Sequence, residues 1–246
     1  MSLWLGGLGV IIGVVVGSFA ATVAVRAGKG QGALSGRSAC DHCGVSLRFV
    51  RTIPVVSGLL SGGNCHACKG PIDPLHMVGE LAGAIILGLV CLWVPLPQLV
   101  PFALLSLCLL TLALIDSRIQ RLPDPLVLAV AALSGGIALM DGVGVFNLLV
   151  AVSVGIGLWL IRFVLEKRSG QAALGLGDIK LCAALGLWLG PSVVHVLLLA
   201  SVSGLVYALV TRQTGRMAFG PFLAGAALCI GLVPYSPWAE GMAWWI

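Results

Sequence analysis

Residues 3–25 read LWLGGLGVIIGVVVGSFAATVAV, one uncharged apolar run with no basic residue ahead of it and Arg26 and Lys29 behind it. A run of that length spans the hydrocarbon core of a bilayer as a helix. A cleaved signal peptide carries its positive charge on the opposite flank, so a retained helix with its N-terminus outside is expected. Gly9, Gly13 and Gly17 recur at i, i+4 and i+8, placing a small-residue stripe on one helix face where another backbone can come close. In a chain with 34 glycines, chance spacing is the competing reading.

The composition extends this reading to the whole chain. Of 246 residues, 59% are hydrophobic and only 9% are charged, with a mean hydropathy of +1.09, whereas soluble domains carry about 25% charged residues. Backbone groups in lipid must be satisfied within the chain, and the apolar runs are helix-length rather than the short alternating strands of a barrel. The fold class expected is an all-α polytopic membrane protein. A net charge of +5 could suggest a nucleic-acid partner, but topology accounts for the basic residues more simply, and no nucleic acid is expected.

Residues 27–76 form the only long polar segment, and it holds the pairs Cys40-Asp41-His42-Cys43 and Cys65-His66-Ala67-Cys68. Two C-x-x-C turns at this separation suit a tetrahedral thiolate site, so Cys40, Cys43, Cys65 and Cys68 are read as ligands of a structural Zn2+. Two disulfides or a redox pair are the alternatives, disfavoured for a loop facing the reducing cytosol. A metal would supply folding free energy to a loop too small to bury a core. His42 and His66 are spare donors. Cys91, Cys108, Cys182 and Cys229 lie in apolar runs and read as packing residues.

Seven further apolar segments follow, at about 78–94, 98–115, 125–140, 145–165, 174–190, 192–211 and 219–238, giving about eight transmembrane helices. Threaded from an outside N-terminus, this arrangement puts all 14 Lys and Arg residues on one side, while the other side holds Asp141 and the tail residue Glu240. By the positive-inside rule the basic side is cytoplasmic and both termini lie outside. The division expected is a first helix over 1–26, a cytoplasmic zinc-binding loop over 27–76, and a seven-helix membrane domain over 77–246.

The same threading brings two carboxylates to one face. Asp116 ends the third helix in Leu114-Ile115-Asp116-Ser117-Arg118, and Asp178 opens the sixth in Gly175-Leu176-Gly177-Asp178-Ile179-Lys180-Leu181. If helices three and six pack together, the pair has a specific chemical use: one carboxylate acts as base while the other keeps its proton. Taken singly, Asp178 could be a helix cap and Asp116 a partner of Arg118 or Arg121. Gly175 and Gly177 would let an extended substrate backbone approach. Asp124, before Pro125, reads as an N-cap. Lys180 reads as an interfacial anchor beside the site, and Glu80 as a functional acid inside the second helix, with an interfacial residue as the alternative. His195 reads as a satisfied helix histidine.

Taken in order, these motifs resemble the bacterial type IV prepilin peptidases, the GxGD aspartic membrane proteases. Gly17-Ser18-Phe19 followed by Arg26, the paired C-x-x-C turns and Ile53-Pro54-Val55-Val56-Ser57 match the family's first half. Asp116 in LIDSRIQRLPD and Asp178 in GLGDIKL fall on its two catalytic aspartates. The resemblance implies an inner-membrane endopeptidase that cuts type IV prepilins or type II secretion pseudopilins at the cytoplasmic face, after the glycine ending a short basic leader. Many members then N-methylate the new terminus with S-adenosylmethionine. Three positions depart from the pattern. Ala21 stands for the family's Asn, Arg51-Thr52 for an acidic-Asn pair, and Leu75-His76-Met77 for Arg-Tyr-Pro ahead of Glu80. A small proton-coupled transporter with a zinc-stabilised loop, and a metal-binding scaffold, are the competing classes.

Overall fold

A computed structural model describes residues 3–32, 39–40, 43–46, 54, 61–170, 174–213, 215 and 217–237. Asp41, His42, the Arg51-Thr52 departure and all of the Ile53 to Ser57 match except Pro54 lie outside the described residues, as do Arg37, Arg48, Arg216 and Glu240.

Among the described residues there are eight α-helices: α1 Leu3–Gly28, α2 Pro74–Trp93, α3 Leu96–Ile119, α4 Asp124–Met140, α5 Gly144–Ser169, α6 Leu176–Leu189, α7 Val193–Thr211 and α8 Gly220–Leu232. Five segments are long and apolar enough to cross a membrane, one of them being α6 and α7 taken together; α4 and α8 are shorter apolar helices. Large apolar side chains such as Ile11, Val15, Ile156, Trp159, Leu198, Leu205 and Leu209 remain exposed. So extensive an apolar surface belongs in lipid, not in water.

Local chemistry sets the helix ends. Asp73 begins α2: its Oδ1 accepts the Leu75 N–H at 2.9 Å, and Pro74 occupies the first turn, where no N–H partner is needed. This Asp-Pro pair starts the helix four residues before the expected Val78. The similar Asp124-Pro125 does not cap. Pro123 holds the cap position of α4, there is no side-chain capping bond, and Asp124 is the first helical residue. Gln120, Gly170 and Arg212 end α3, α5 and α7 in the left-handed region. Because α3 runs to Ile119, Asp116 lies in its last turn rather than at its end.

The chain divides into two units, residues 1–92 and 93–246. In the first, α1 and α2 meet through glycine. Gly9, Gly13 and Gly17 are all buried, and a Cβ on Gly13 would lie 2.6 Å from the Gly83 carbonyl carbon, one on Gly17 2.8 Å from that of Gly79. The stripe is therefore a backbone-to-backbone contact, in which close approach replaces the missing hydrophobic drive between helices in lipid.

In the second unit α3 packs on α4 and α8, α6 on α4 and α5, and α7 on α8. At one end Phe102 of α3 meets Trp188 of α6 edge-to-face with ring centroids 5.0 Å apart, and Tyr235 lies against the same Phe102 at 5.6 Å. Buried Asn147 donates from Nδ2 to the Leu187 carbonyl at 3.0 Å and the Trp188 carbonyl at 3.3 Å. It thereby satisfies carbonyls that the end of α6 leaves open.

Replacing Gly83 by Val is expected to destabilise the detergent-purified protein by roughly 1–3 kcal/mol through overpacking. Gly7→Ala, at a position with nothing within 4 Å, should be neutral. Thermal melts of the two variants check this.

Candidate active site and cysteine cluster

Asp116 is 95% buried, with a relative exposure of 5%. Its Oδ2 accepts the backbone N–H of Gly220 at 2.8 Å across a sequence separation of 104. Gly220 is the first residue of α8, so the carboxylate lies against a helix N-terminus, where donors point outward and the dipole favours negative charge. Asp178 is the third residue of α6, with Gly175 at the cap position, and its carboxylate accepts the Gly175 N–H. It therefore makes the reaching-back half of a capping box. Asp178 thus lies in the first turn of its helix, and the negative charge of Asp116 is felt at its carboxyl.

The helices achieve this without extensive packing of α3 on α6. Instead, α4 and α8 each pack on both, and the contact at the Phe102–Trp188 end is made by large rings. Of the two, α4 bridges α3 and α6 most extensively, whereas α8 meets α6 at the Trp188 end through Gly231.

The glycines around Asp178 have local structural work. A Cβ on Gly175 would sit 2.7 Å from Asp178 Oδ2, and one on Gly177 would sit 3.1 Å from Cβ of Leu122, in the link after α3. Lys180 reaches across to α4: its Nζ donates to Asp124 Oδ1 at 2.7 Å, with both side chains more than half exposed. Such a pair contributes at most about 1 kcal/mol, so it orients the link between helices more than it stabilises it. Arg162 of α5 donates from Nη1 to the Leu174 carbonyl at 2.6 Å and pairs with Glu166 at 3.5 Å, fixing the chain just ahead of Gly175.

Neither Gly220 nor Arg162 was expected at the site. A basic residue in an apolar run could have pointed to Arg162. A Gly-Pro pair opening a helix at the same face as the two aspartates was the available sign of Gly220.

In the first unit, Glu80 is buried and accepts the Ser18 hydroxyl on Oε1 at 2.7 Å. That unit also holds the cysteines. The Sγ atoms of Cys40, Cys43, Cys65 and Cys68 all lie within 4.8 Å of one another. No disulfide joins them, the Cys40 and Cys68 sulfurs being 3.8 Å apart.

The two turns are copies in backbone terms. Cys40 N–H donates to the Val45 carbonyl and Gly44 N–H back to Cys40, while Cys65 N–H donates to Gly70 and Lys69 N–H back to Cys65. Gly44 (φ +70°) and Lys69 (φ +58°) take the same left-handed position. Backbone N–H groups of Cys68 and Ala67, with help from Cys40, lower the Cys65 thiol to about 6. For Cys68 the favourable Gly70 N–H is outweighed by desolvation and the neighbouring sulfurs, which push it up to about 11. Four sulfurs gathered this closely are a donor set that could hold a metal ion.

Comparison with known proteins places the chain in a family. Residues 11–94 match the Bacterial Peptidase A24 N-terminal domain and residues 103–209 the Type IV leader peptidase family. The chain is 37% identical over 220 residues to a prepilin leader peptidase/N-methyltransferase of Neisseria gonorrhoeae, covering 85% of this chain and 75% of that protein. It is 36% identical over 214 residues to a protein of the same name from Burkholderia pseudomallei (81% and 68% covered), and 34% identical over 204 residues to one from Pseudomonas aeruginosa (76% and 68%). No solved structure matches. With both halves matched in order and relatives above 30% identity across most of its length, the chain belongs to the type IV leader peptidase family.

Proposed function

We propose that the protein removes the short basic leader from type IV prepilins or type II secretion pseudopilins, with Asp116 and Asp178 as its acid/base pair. The observation that carries this is the arrangement of the two carboxylates. They stand on different helices within electrostatic reach, each with an oxygen tied to a backbone N–H at a helix start. The anionic member draws a proton from a water attacking the peptide carbonyl after the leader's terminal glycine, and the protonated member donates to the developing oxyanion. The proton then passes to the leaving amine, and the pair titrates as a unit.

Gly175 puts no side chain against Asp178, leaving its approach open to an extended substrate, while Gly177 makes room for Leu122. Glu80, buried with Ser18, is read as a functional acid of the N-terminal unit, and Lys180 as an anchor of α6 at the rim. The membrane reading that goes with this has eight crossings, made when α4 and α8 cross and the α6–α7 segment turns at Gly190. Both termini lie outside, and the basic ends face the cytoplasm of a bacterial inner membrane. A proton-coupled transporter gives no reason for a dyad at helix ends or for the cysteine turns.

The cysteine cluster fits zinc. Tetrahedral Zn–S bonds of about 2.3 Å place sulfurs about 3.8 Å apart, the separation of Cys40 and Cys68. Cys40, Cys43, Cys65 and Cys68 would hold the ion, which folds the 27–76 loop rather than acting in catalysis. Fewer residues point to methyl transfer. Ala21, where the family carries Asn, is a fully buried apolar residue of α1, and no step is derived through S-adenosylmethionine. Adding that compound to a cleavage reaction reads the second activity as a gain of one methyl mass.

Asp116→Asn and Asp178→Asn should each insert normally and cut a purified prepilin at least ~100-fold more slowly. Leader loss followed by mass spectrometry checks this, and wild-type cleavage in either variant would remove the dyad. Elemental analysis should find one zinc per chain in the wild type and none in Cys65→Ser, whose loop becomes more sensitive to protease. A metal-free wild type with an intact loop contradicts the zinc reading.

A further inference from the structure

The opening turn of α8, Phe219-Gly220-Pro221, belongs to neither aspartate motif, yet it touches one of the aspartates. We infer that Gly220 is a positioning residue for peptide cleavage, its backbone N–H and absent side chain together fixing the orientation of the Asp116 carboxyl. This rests on Asp116 being a catalytic carboxylate.

Three observations carry the inference. First, the bond itself: the Gly220 N–H donates to Asp116 Oδ2 at 2.8 Å with both residues buried. A buried carboxylate oxygen so tied fixes the carboxyl plane and leaves Oδ1 as the oxygen free to meet water or substrate. Second, the fit excludes any side chain. A Cβ on Gly220 would lie 2.8 Å from Oδ2, 3.0 Å from Cβ and 3.1 Å from Cγ of Asp116. The contact with Asp116 Cβ lies next to the α3 backbone, so the carboxylate cannot simply swing aside. Pro221 then occupies the next position and has no N–H to offer in place of Gly220.

Third, the turn is held from outside the site. Phe222 packs on Tyr207 of α7 with ring centroids 5.5 Å apart, and a Cβ on Gly204 would lie 3.2 Å from Cε of Met217 and 3.7 Å from Phe222. Gly204 thus admits Met217 and Phe222, which flank the turn, close to the α7 backbone. Behind it Leu223, Ala224 and Ala227 are buried, and α8 packs along α3. The donor is therefore set by α7 and α8 and the acceptor by α3.

The test compares Gly220→Ala with Gly225→Ala, a change on the same helix at a position with nothing within 4 Å. Gly220→Ala keeps the helix but displaces the carboxyl. It should lower kcat for a purified prepilin by about 100-fold, the loss typical of an ångström-scale misplacement, while KM stays within about threefold because substrate binding is untouched. Gly225→Ala should cleave at the wild-type rate. Wild-type kcat in Gly220→Ala, with Asp116→Asn inactive, overturns the inference; an active Asp116→Asn overturns the dyad instead. If Gly220→Ala fails to fold, Asp116→Gly in the same chain should restore folding by removing Cβ, Cγ and Oδ2 from the contact. A double variant that stays unfolded also overturns the inference.

Discussion

A carboxylate buried within reach of another carboxylate is the constraint around which the second unit is arranged. Like charges in a poorly solvated place repel, and burial alone disfavours both. The unit answers with backbone. Gly220 N–H at the start of α8 is aimed at Asp116, and Gly175 N–H at the start of α6 at Asp178. Donors fixed in helices need no reorganisation when charge moves, as catalysis by a preorganised site requires. The cost is paid in glycine, because each donor comes so close that a Cβ would strike the carboxylate it serves.

The same economy of side chains recurs in the first unit. There α1 and α2 approach until glycine faces carbonyl, and two cysteine turns with one backbone pattern bring four sulfurs within 4.8 Å of one another. Lipid offers little reason for apolar helices to associate with one another, so shape and small residues have to do it.

Much of this was legible before any coordinates. Apolar run lengths located the eight described helices to within a few residues, although α4, α6 and α8 are each shorter than a membrane span. Cysteine spacing marked the cluster, since a C-x-x-C turn leaves little freedom in where its sulfurs point. The sidedness of the basic residues is what suggested pairing the aspartates. What escaped was carried by backbone or by long-range packing. Gly220 acts through an N–H that every residue but proline possesses, so its type records only the missing side chain. The Asp-Pro rule applied to α2, where Asp73 caps, and failed at α4, where Asp124 turns instead to Lys180, 56 residues away. Gly175 and Gly177 were read for a substrate; their near neighbours are Asp178 and Leu122.

The central claim is that Asp116 and Asp178, from helices that share few direct contacts, form a single site. It is tested most directly by distance in the native membrane. Asp116→Cys and Asp178→Cys, combined in a chain whose Cys91, Cys108, Cys182 and Cys229 are changed to Ala, should be joined within one chain by a short bifunctional thiol reagent. The account predicts that cross-link, seen as an intramolecular mass gain of one linker. Two thiols that each react singly with the reagent but never become joined would contradict it.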